Sequence, residues 1–242
     1  MSAPETAGPV WVVIPTYNEA DTIETIVRAV RERLPESRGI LVVDDASPDG
    51  TGEIADRLAA ERDEVAVLHR DAKRGLGPAY LAGFRDVLAR GAALIVQMDA
   101  DFSHDPDDVP RLIEATQGAD VAIGSRYVPG GRILDWGSRR KAISRWGSAY
   151  ARTVLGLDVR DMTSGFKCWR RRALEGIDLG AIGSEGYAFQ VEMTYRAVRA
   201  GFEVAEVPIT FRDRRVGESK MTGSIVTEAA FKVPALRLRR RR

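Results

Sequence analysis

The stretch ALIVQMDADFSHDP, residues 93–106, carries an apolar run directly into two aspartates one residue apart. The apolar part has the length and composition of a short buried strand. Asp99 and Asp101 stand at i and i+2, positions that project to one face of an extended chain. Two like charges held that close repel unless a cation sits between them. A solvated turn accounts for the spacing as well, since aspartate is a common turn former. A divalent metal with an anionic ligand is the sharper reading, and the rest of the chain has to choose.

Working outward, the same alternation repeats. VWVVIP (10–15), ILVVDD (40–45), VAVLH (65–69), ALIVQMD (93–99) and DVAIG (120–124) read as strands. Between them lie helices. The first is expected to open on an Asp21–Glu24 capping pair, with Ile23, Ile26, Val27, Val30 and Leu34 on one face. The others cover 51–61, 78–91 and a stretch near 107–116. Continuous Val/Ile runs alternating with helices predict an α/β fold, a mostly parallel sheet covered on both faces. Such sheets bind ligands at the carboxyl ends of their strands. Here those ends read IPTYNE, VVDDASPDGT, MDADFSHDP and IGSRY, each crowded with polar and acidic residues. A purely structural sheet needs only turn formers there.

Beyond residue 127 the pattern loosens: a helix is expected over about 139–156, a loop and strand in 161–171, a helix over 187–201 and a strand over 203–211. The domains expected are a disordered leader (1–9), one catalytic-sized domain (10–223) and a basic helix or tail (224–242). At 242 residues the chain has ample length for a core. A net charge of +1 gives no reason to expect nucleic acid, and two histidines exclude a histidine-rich zinc site. One cysteine, Cys168, rules out an internal disulfide and suits a reducing compartment. The first residues lack the pattern of a signal peptide, and no apolar run approaches the ~20 residues of a membrane span. Two arginine-rich stretches stand out. RRKAISRWGS (139–148) lies near Trp136 and contains Trp146, and five of the last six residues are arginine. Solvated faces account for such runs, while cations beside aromatics suit an anionic lipid surface. Trp136 and Trp146 fit a core or an interface equally.

No Gly-rich dinucleotide loop and no P-loop occur, and RGLGPAYLAG (74–83) has its glycines at the wrong spacing. Phosphate would instead be held through a cation on Asp99 and Asp101, since hard cations take carboxylate, phosphate and water oxygens. Asp45 suits a ribose hydroxyl. Asp44 reads as a partner of its own turn, Asp49 as a turn residue, and Gln190 and Glu192 either face a sugar or make buried polar contacts.

VVIPTYNEADTI, VVDDASPDGT, MDADFSHDP, IGSRYVPGG, RRKAISRWGS, DMTSGFKCWRR, GYAFQVEM and DRRVGESKM stand in one order over roughly residues 10–225. Together they resemble glycosyltransferase family 2, in its dolichol-phosphate and polyprenyl monophosphomannose synthase branch. The resemblance implies a GT-A fold, GDP-mannose as donor, a polyprenyl phosphate as acceptor and Mg²⁺ or Mn²⁺ as cofactor. Carried over by motif, it implies Pro15, Tyr17, Glu19, Val43 and Asp45 around the nucleotide, with Ala100 against it. Asp99 and Asp101 match the metal pair, and Ser103 stands where some relatives place a further, glutamine ligand. Arg126, Arg140, Ser144, Arg214 and Lys220 match residues around the donor diphosphate and the acceptor phosphate. Asp161 resembles the acid proposed elsewhere as a base; a phosphate nucleophile is already deprotonated at neutral pH, so positioning is the better expectation. The expected activity is inverting mannose transfer at the cytosolic face of a membrane. The alternatives are a UDP-sugar donor (glucose or N-acetylglucosamine) or a non-catalytic subunit. Many relatives carry transmembrane helices after the catalytic domain. Here a separate membrane-anchoring protein, a basic helix on the bilayer or a longer parent chain would take their place.

Overall fold

The computed structural model describes residues 8–212 and 232–237. Its first half repeats strand and helix. β1 (Val10–Thr16), α1 (Ile23–Arg31), β2 (Arg38–Asp44) and α2 (Thr51–Glu61) come first. β3 (Val65–His69), α3 (Leu76–Ala89), β4 (Leu94–Gln97), α4 (Val109–Ala115) and β5 (Val121–Ser125) follow. The second half is less regular: β6 (Arg132–Ile133), α5 (Ser138–Leu155), β7 (Lys167–Arg170), α6 (Arg171–Gly176), α7 (Gly186–Arg199), β8 (Val204–Pro208) and β9 (Thr210–Phe211).

Seven strands form one sheet in the order β3-β2-β1-β4-β7-β5-β8, while β6 and β9 pair separately. All neighbours in the large sheet run parallel except β7, which is antiparallel to both β4 and β5. Side chains alternate through the sheet as period two requires. Val13, Leu41 and Val43 join the core under α3, α5, α6 and α7. Val12, Ile14, Ile40 and Val42 join a second core under α1, α2 and α4. The expected layers are therefore present.

Several local expectations are corrected. β4 stops at Gln97, so Asp99 and Asp101 lie in the loop beyond it rather than on a strand face. That loop includes Phe102 at φ +59°, a strained turn for a side chain of its size. The Asp21–Glu24 cap does not form. Thr22 stands at the N-cap without a side-chain bond to the helix, and Glu24 reaches across to Arg57 of α2 (2.7 Å). Trp136 is buried, whereas Trp146 is 55% exposed and stacks on Tyr150. Of the tail expected over 224–242, residues 232–237 are described; they are helical, bury Val233 and Leu236 in the core, and donate from Arg237 to the Val154 carbonyl of α5. Among the described residues no helix is long and apolar enough to cross a membrane.

α3 sits close enough to the sheet to need a glycine at its centre. A Cβ at Gly83 would lie 2.5 Å from Val13 and 3.0 Å from Val43. Gly83→Ala is therefore expected to cost about 1–3 kcal/mol by overpacking, read as a lower urea midpoint at unchanged slope. Gly147→Ala on α5 meets open space and is expected to be neutral or stabilising by about 0.5–1 kcal/mol in the same assay.

Candidate active site

The order β3-β2-β1-β4 places the topological switch beside β1, where a crevice opens at the strand ends. A cleft occupies it, lined by Pro15, Thr16, Tyr17 and Glu19 after β1, Asp45 after β2, and Asp99, Ala100 and Asp101 after β4. Lys73, Gly75, Leu76 and Ala79 close its side from the start of α3. Two turns hold the rim. The Asp44 carboxylate accepts from the Ser47 N–H and hydroxyl (3.1 and 2.6 Å) and from Thr16 (3.2 Å), as expected of a turn residue. Asp49 accepts from the Ala20 N–H and from Thr51, tying the β1 and β2 loops together.

The two cleft aspartates are each held by neutral donors. The buried Tyr80 hydroxyl donates to Asp99 Oδ1 (2.7 Å), and burial with the nearby Asp99 charge pushes the phenol pKa well up, so it stays a donor. The Asp99 N–H donates to His104 Nδ1 (3.1 Å). His104 is buried and stacked on Phe166, centroids 4.8 Å apart. Asp101 Oδ1 accepts from the Ser103 N–H (3.0 Å), so the contact seen for Ser103 is through its backbone. Asp99 has no cationic partner among the described residues. An all-oxygen donor set of this kind suits a hard divalent cation. No group of three or more His, Cys, Asp or Glu among the described residues is placed to hold a metal alone. A cation here would complete its shell with ligand phosphate and water.

The remaining expected residues separate into cleft and interior. Tyr17 lies under Lys73, whose Nζ is 3.7 Å from the ring centroid. Glu19 accepts from Thr22 (3.2 Å). Asp45 is ion-paired with Arg70 and accepts from the Arg74 N–H (3.3 Å), so the carboxylate read as a ribose acceptor already has a cation beside it. The Val43 side chain is fully buried in the core under α3, and Val43 is not among the residues lining the cleft. Lys73, Arg70 and Tyr80 went unread in the sequence. Arg70 and Lys73 stand in the basic cluster RDAKRG (70–75) ahead of α3, which was not singled out, and Tyr80 lies in RGLGPAYLAG, set aside for its glycine spacing.

Asp161 is fully buried, and Arg126 grips it with both guanidinium ends (2.7 Å each) and its own N–H (3.0 Å), with Thr163 added at 3.3 Å. Burial alone would raise the carboxyl pKa; the Arg126 charge and hydrogen bonds outweigh it and hold the group below its ordinary value. A carboxylate so engaged is a poor proton acceptor. Arg126, expected at a phosphate, is likewise committed to Asp161 and sits against Phe211 (5.3 Å). Ser144 accepts from the Tyr127 hydroxyl (2.7 Å), and Arg140 stacks over Trp136 (3.9 Å). Arg214 and Lys220 lie outside the described residues.

Behind the cleft, Lys167 is fully buried, donating to the Gln190 carbonyl (3.0 Å) and side-chain oxygen (3.1 Å). Burial pushes its pKa down to about 7, with the Asp161 charge opposing. Glu192 is also fully buried, accepting from the Ser184 N–H (3.1 Å) and Arg196 (2.8 Å).

Residues 11–178 match the family model described as glycosyl transferase family 2. An undecaprenyl-phosphate mannosyltransferase of Micrococcus luteus is 54% identical over 224 residues, covering 93% of this chain and 92% of that protein. A polyprenol monophosphomannose synthase of Mycolicibacterium smegmatis is 53% identical, over 92% of this chain and 84% of its own. A dolichol-phosphate mannosyltransferase of Pyrococcus furiosus is 40% identical over 90% of this chain and 61% of its own. Among solved structures, glucosyl-3-phosphoglycerate synthase from Mycobacterium tuberculosis, with Mn²⁺, UDP-glucose and phosphoglyceric acid, superposes at a TM-score of 0.68. It is 20% identical, and the match covers 95% of this chain and 79% of that one. The same enzyme with Mg²⁺ and UDP gives 0.70, at 20% identity over 95% and 79%. The expected GT-A fold is therefore the fold observed.

Two outcomes follow from the buried charges. Asp161→Ala strands the Arg126 guanidinium and is expected to cost about 3–5 kcal/mol in urea unfolding, part of it recovered by adding Arg126→Ala. The native state holds Lys167 with a pKa of about 7, below the ordinary lysine value, so its buried ammonium costs stability at low pH and the cost fades as pH rises. Between about pH 7 and pH 9 unfolding free energy should rise by up to about 1.4 kcal/mol per pH unit, and Lys167→Met should flatten that rise. Above that window Cys168, whose thiol burial pushes up to about 12, works in the opposite sense.

Proposed function

The chain belongs to glycosyltransferase family 2, and from that premise we propose that it transfers mannose from GDP-mannose to a polyprenyl phosphate with inversion. The observation that carries the proposal is the Asp99–Asp101 pair, set at the switch-point cleft beside Tyr17 and Glu19. Relatives more than half identical over nearly the whole chain, named for mannose transfer to polyprenyl phosphates, support the same acceptor and sugar.

The chain's own groups supply the preconditions. Tyr80 and the Ser103 N–H fix the two carboxylates before any ligand arrives, and the His104 ring holds the Asp99 backbone. Asp99 and Asp101 would hold Mg²⁺ or Mn²⁺, which when bound offsets the charge that grows on the departing diphosphate. Tyr17 and Lys73 form one wall for the nucleotide, and Lys73 brings a positive charge to that wall. Arg214 and Lys220, assigned by motif, would add positive charge at the phosphates. A phosphate oxygen of the acceptor bonds to the anomeric carbon as the bond to GDP breaks, its electron pair leaving with the diphosphate. The acceptor's second pKa is about 6, so no protein base is needed. That is consistent with Asp161 being occupied by Arg126.

The lipid acceptor calls for a membrane surface, and we place the enzyme on the cytosolic face. α5 supports the membrane surface: Trp146 stands exposed among Arg139, Lys141 and Arg145 on one helix. Cations beside an interfacial aromatic suit anionic headgroups.

A donor screen over GDP-mannose, UDP-glucose and UDP-N-acetylglucosamine with a short polyprenyl phosphate tests the proposal. Transfer from GDP-mannose alone, abolished by chelator and restored by Mg²⁺ or Mn²⁺, is the expected result. Asp99→Ala and Asp101→Ala should each lower kcat/KM at least about a hundredfold, several kcal/mol of charge stabilisation. Turnover of a UDP-sugar instead would overturn the donor assignment.

A further inference from the structure

Behind the cleft, one buried hydrogen-bond donor is left over by the described residues around it. β4 and β7 pair antiparallel with Gln97 opposite Lys167. The Trp169 indole N–H donates to Gln97 Oε1 (3.3 Å). An indole N–H can only donate, so it fixes which end of Gln97 is oxygen. Gln97 Nε2 then donates to Gln190 Oε1 (2.8 Å), and Lys167 Nζ donates to the same atom (3.1 Å). Gln190 is fixed in turn. Its Nε2 is buried and has no partner among the described residues. Leaving such a group unsatisfied costs about 1–3 kcal/mol, and flipping the amide would only move the fault to Gln97.

Nε2 borders Gly165. A Cβ at Gly165 would lie 3.4 Å from Gln190 Nε2, 3.4 Å from His104 Cε1 and 3.8 Å from Asp99 Oδ2. Gly165 itself is only partly buried. The space a side chain would fill therefore borders both an amide donor and the Asp99 carboxylate. A metal ion is repelled by the first, and a phosphate by the second. A hydroxyl satisfies both, accepting from one and donating to the other.

We infer that Gln190 reads one hydroxyl of the transferred hexose, and that Gly165 leaves the room for it. The two are then specificity-determining residues of the site, an inference that rests on the glycosyl-transfer reading above. The Trp169–Gln97–Lys167 relay is the device that aims the amide.

The test is a coupling measurement on the full chain. Wild type, Gln190→Leu and Gly165→Ala are assayed with GDP-mannose and with its 2-, 3-, 4- and 6-deoxy forms. GDP binding in Mn²⁺ and thermal stability are measured alongside. One deoxy donor is expected to cost wild type about tenfold or more in kcat/KM, the worth of one well-made hydrogen bond. Gln190→Leu should cost a similar factor with GDP-mannose and add little on that one deoxy donor, while the other deoxy penalties stay as in wild type. Gly165→Ala, whose methyl makes ordinary contacts, should reproduce the loss with the relay intact, and GDP affinity should hold in both. Identical deoxy penalties in all three proteins would overturn the inference and leave a water or a structural amide at that place. If wild type transfers nothing from GDP-mannose, the functional reading has failed instead. The same cycle on the deoxy forms of whichever donor the screen finds then decides: coupling upholds the role of Gln190, and its absence overturns it.

Discussion

Two carboxylates side by side at a sheet edge are an electrostatic liability, and the structure around them is arranged to bear it. Asp99 and Asp101 receive hydrogen bonds from a buried phenol and a backbone amide, and the Asp99 backbone is pinned to an imidazole. These partners are neutral, and Asp99 has no cationic partner among the described residues, so its charge is oriented without being cancelled. A cationic neighbour would have quenched the attraction for a metal; Asp45, one loop away, has such a neighbour in Arg70. The same residue type thus serves two ends, set by what stands beside it.

The interior shows the complementary case. Arg126 and Asp161 neutralise each other completely, out of water, and help hold the wall that carries Trp136 and Phe211. A buried pair of this kind adds little net stability over an apolar equivalent, though losing one member is expensive. Its worth lies in geometry. Lys167 is the exception, a buried amine whose two hydrogen-bond partners are both on neutral Gln190. Such a group is tolerated because it disciplines its neighbours.

The sheet was legible because its strands are apolar runs and its helices carry a 3.6-residue stripe, as in α1 with Ile23, Ile26, Val27 and Val30 buried. The cleft was legible in outline because polar residues gathered at successive strand ends, as at Tyr17, Asp45 and Asp99. What local pattern could not carry was pairing between distant segments. β7, KCWR, has no Val/Ile run, yet it lies at the middle of the sheet. Its register against β4 brings Gln97 and Lys167 opposite each other, a relation seventy residues apart in sequence. The Arg126–Asp161 pair was hidden for the same reason, so both partners were read as substrate contacts. Pattern alone also could not say which way Val43 faces: alternate positions on β2 point to opposite cores, and its side chain lies under α3.

The reversed strand has an effect on how the molecule is assembled. β3, β2, β1 and β4 can zip together from consecutive units, each crossover closing a short loop. β5 has no such neighbour to lean on; its partners are β7 and β8, both synthesised later. Until β7 slides between β4 and β5, the acidic loop after β4 lacks Phe166 against its histidine and Gly165 at its floor. In chain order, the strands that bring Tyr17, Asp45 and Asp99 to the cleft thus precede the reversed strand that brings Phe166 and Gly165 against it.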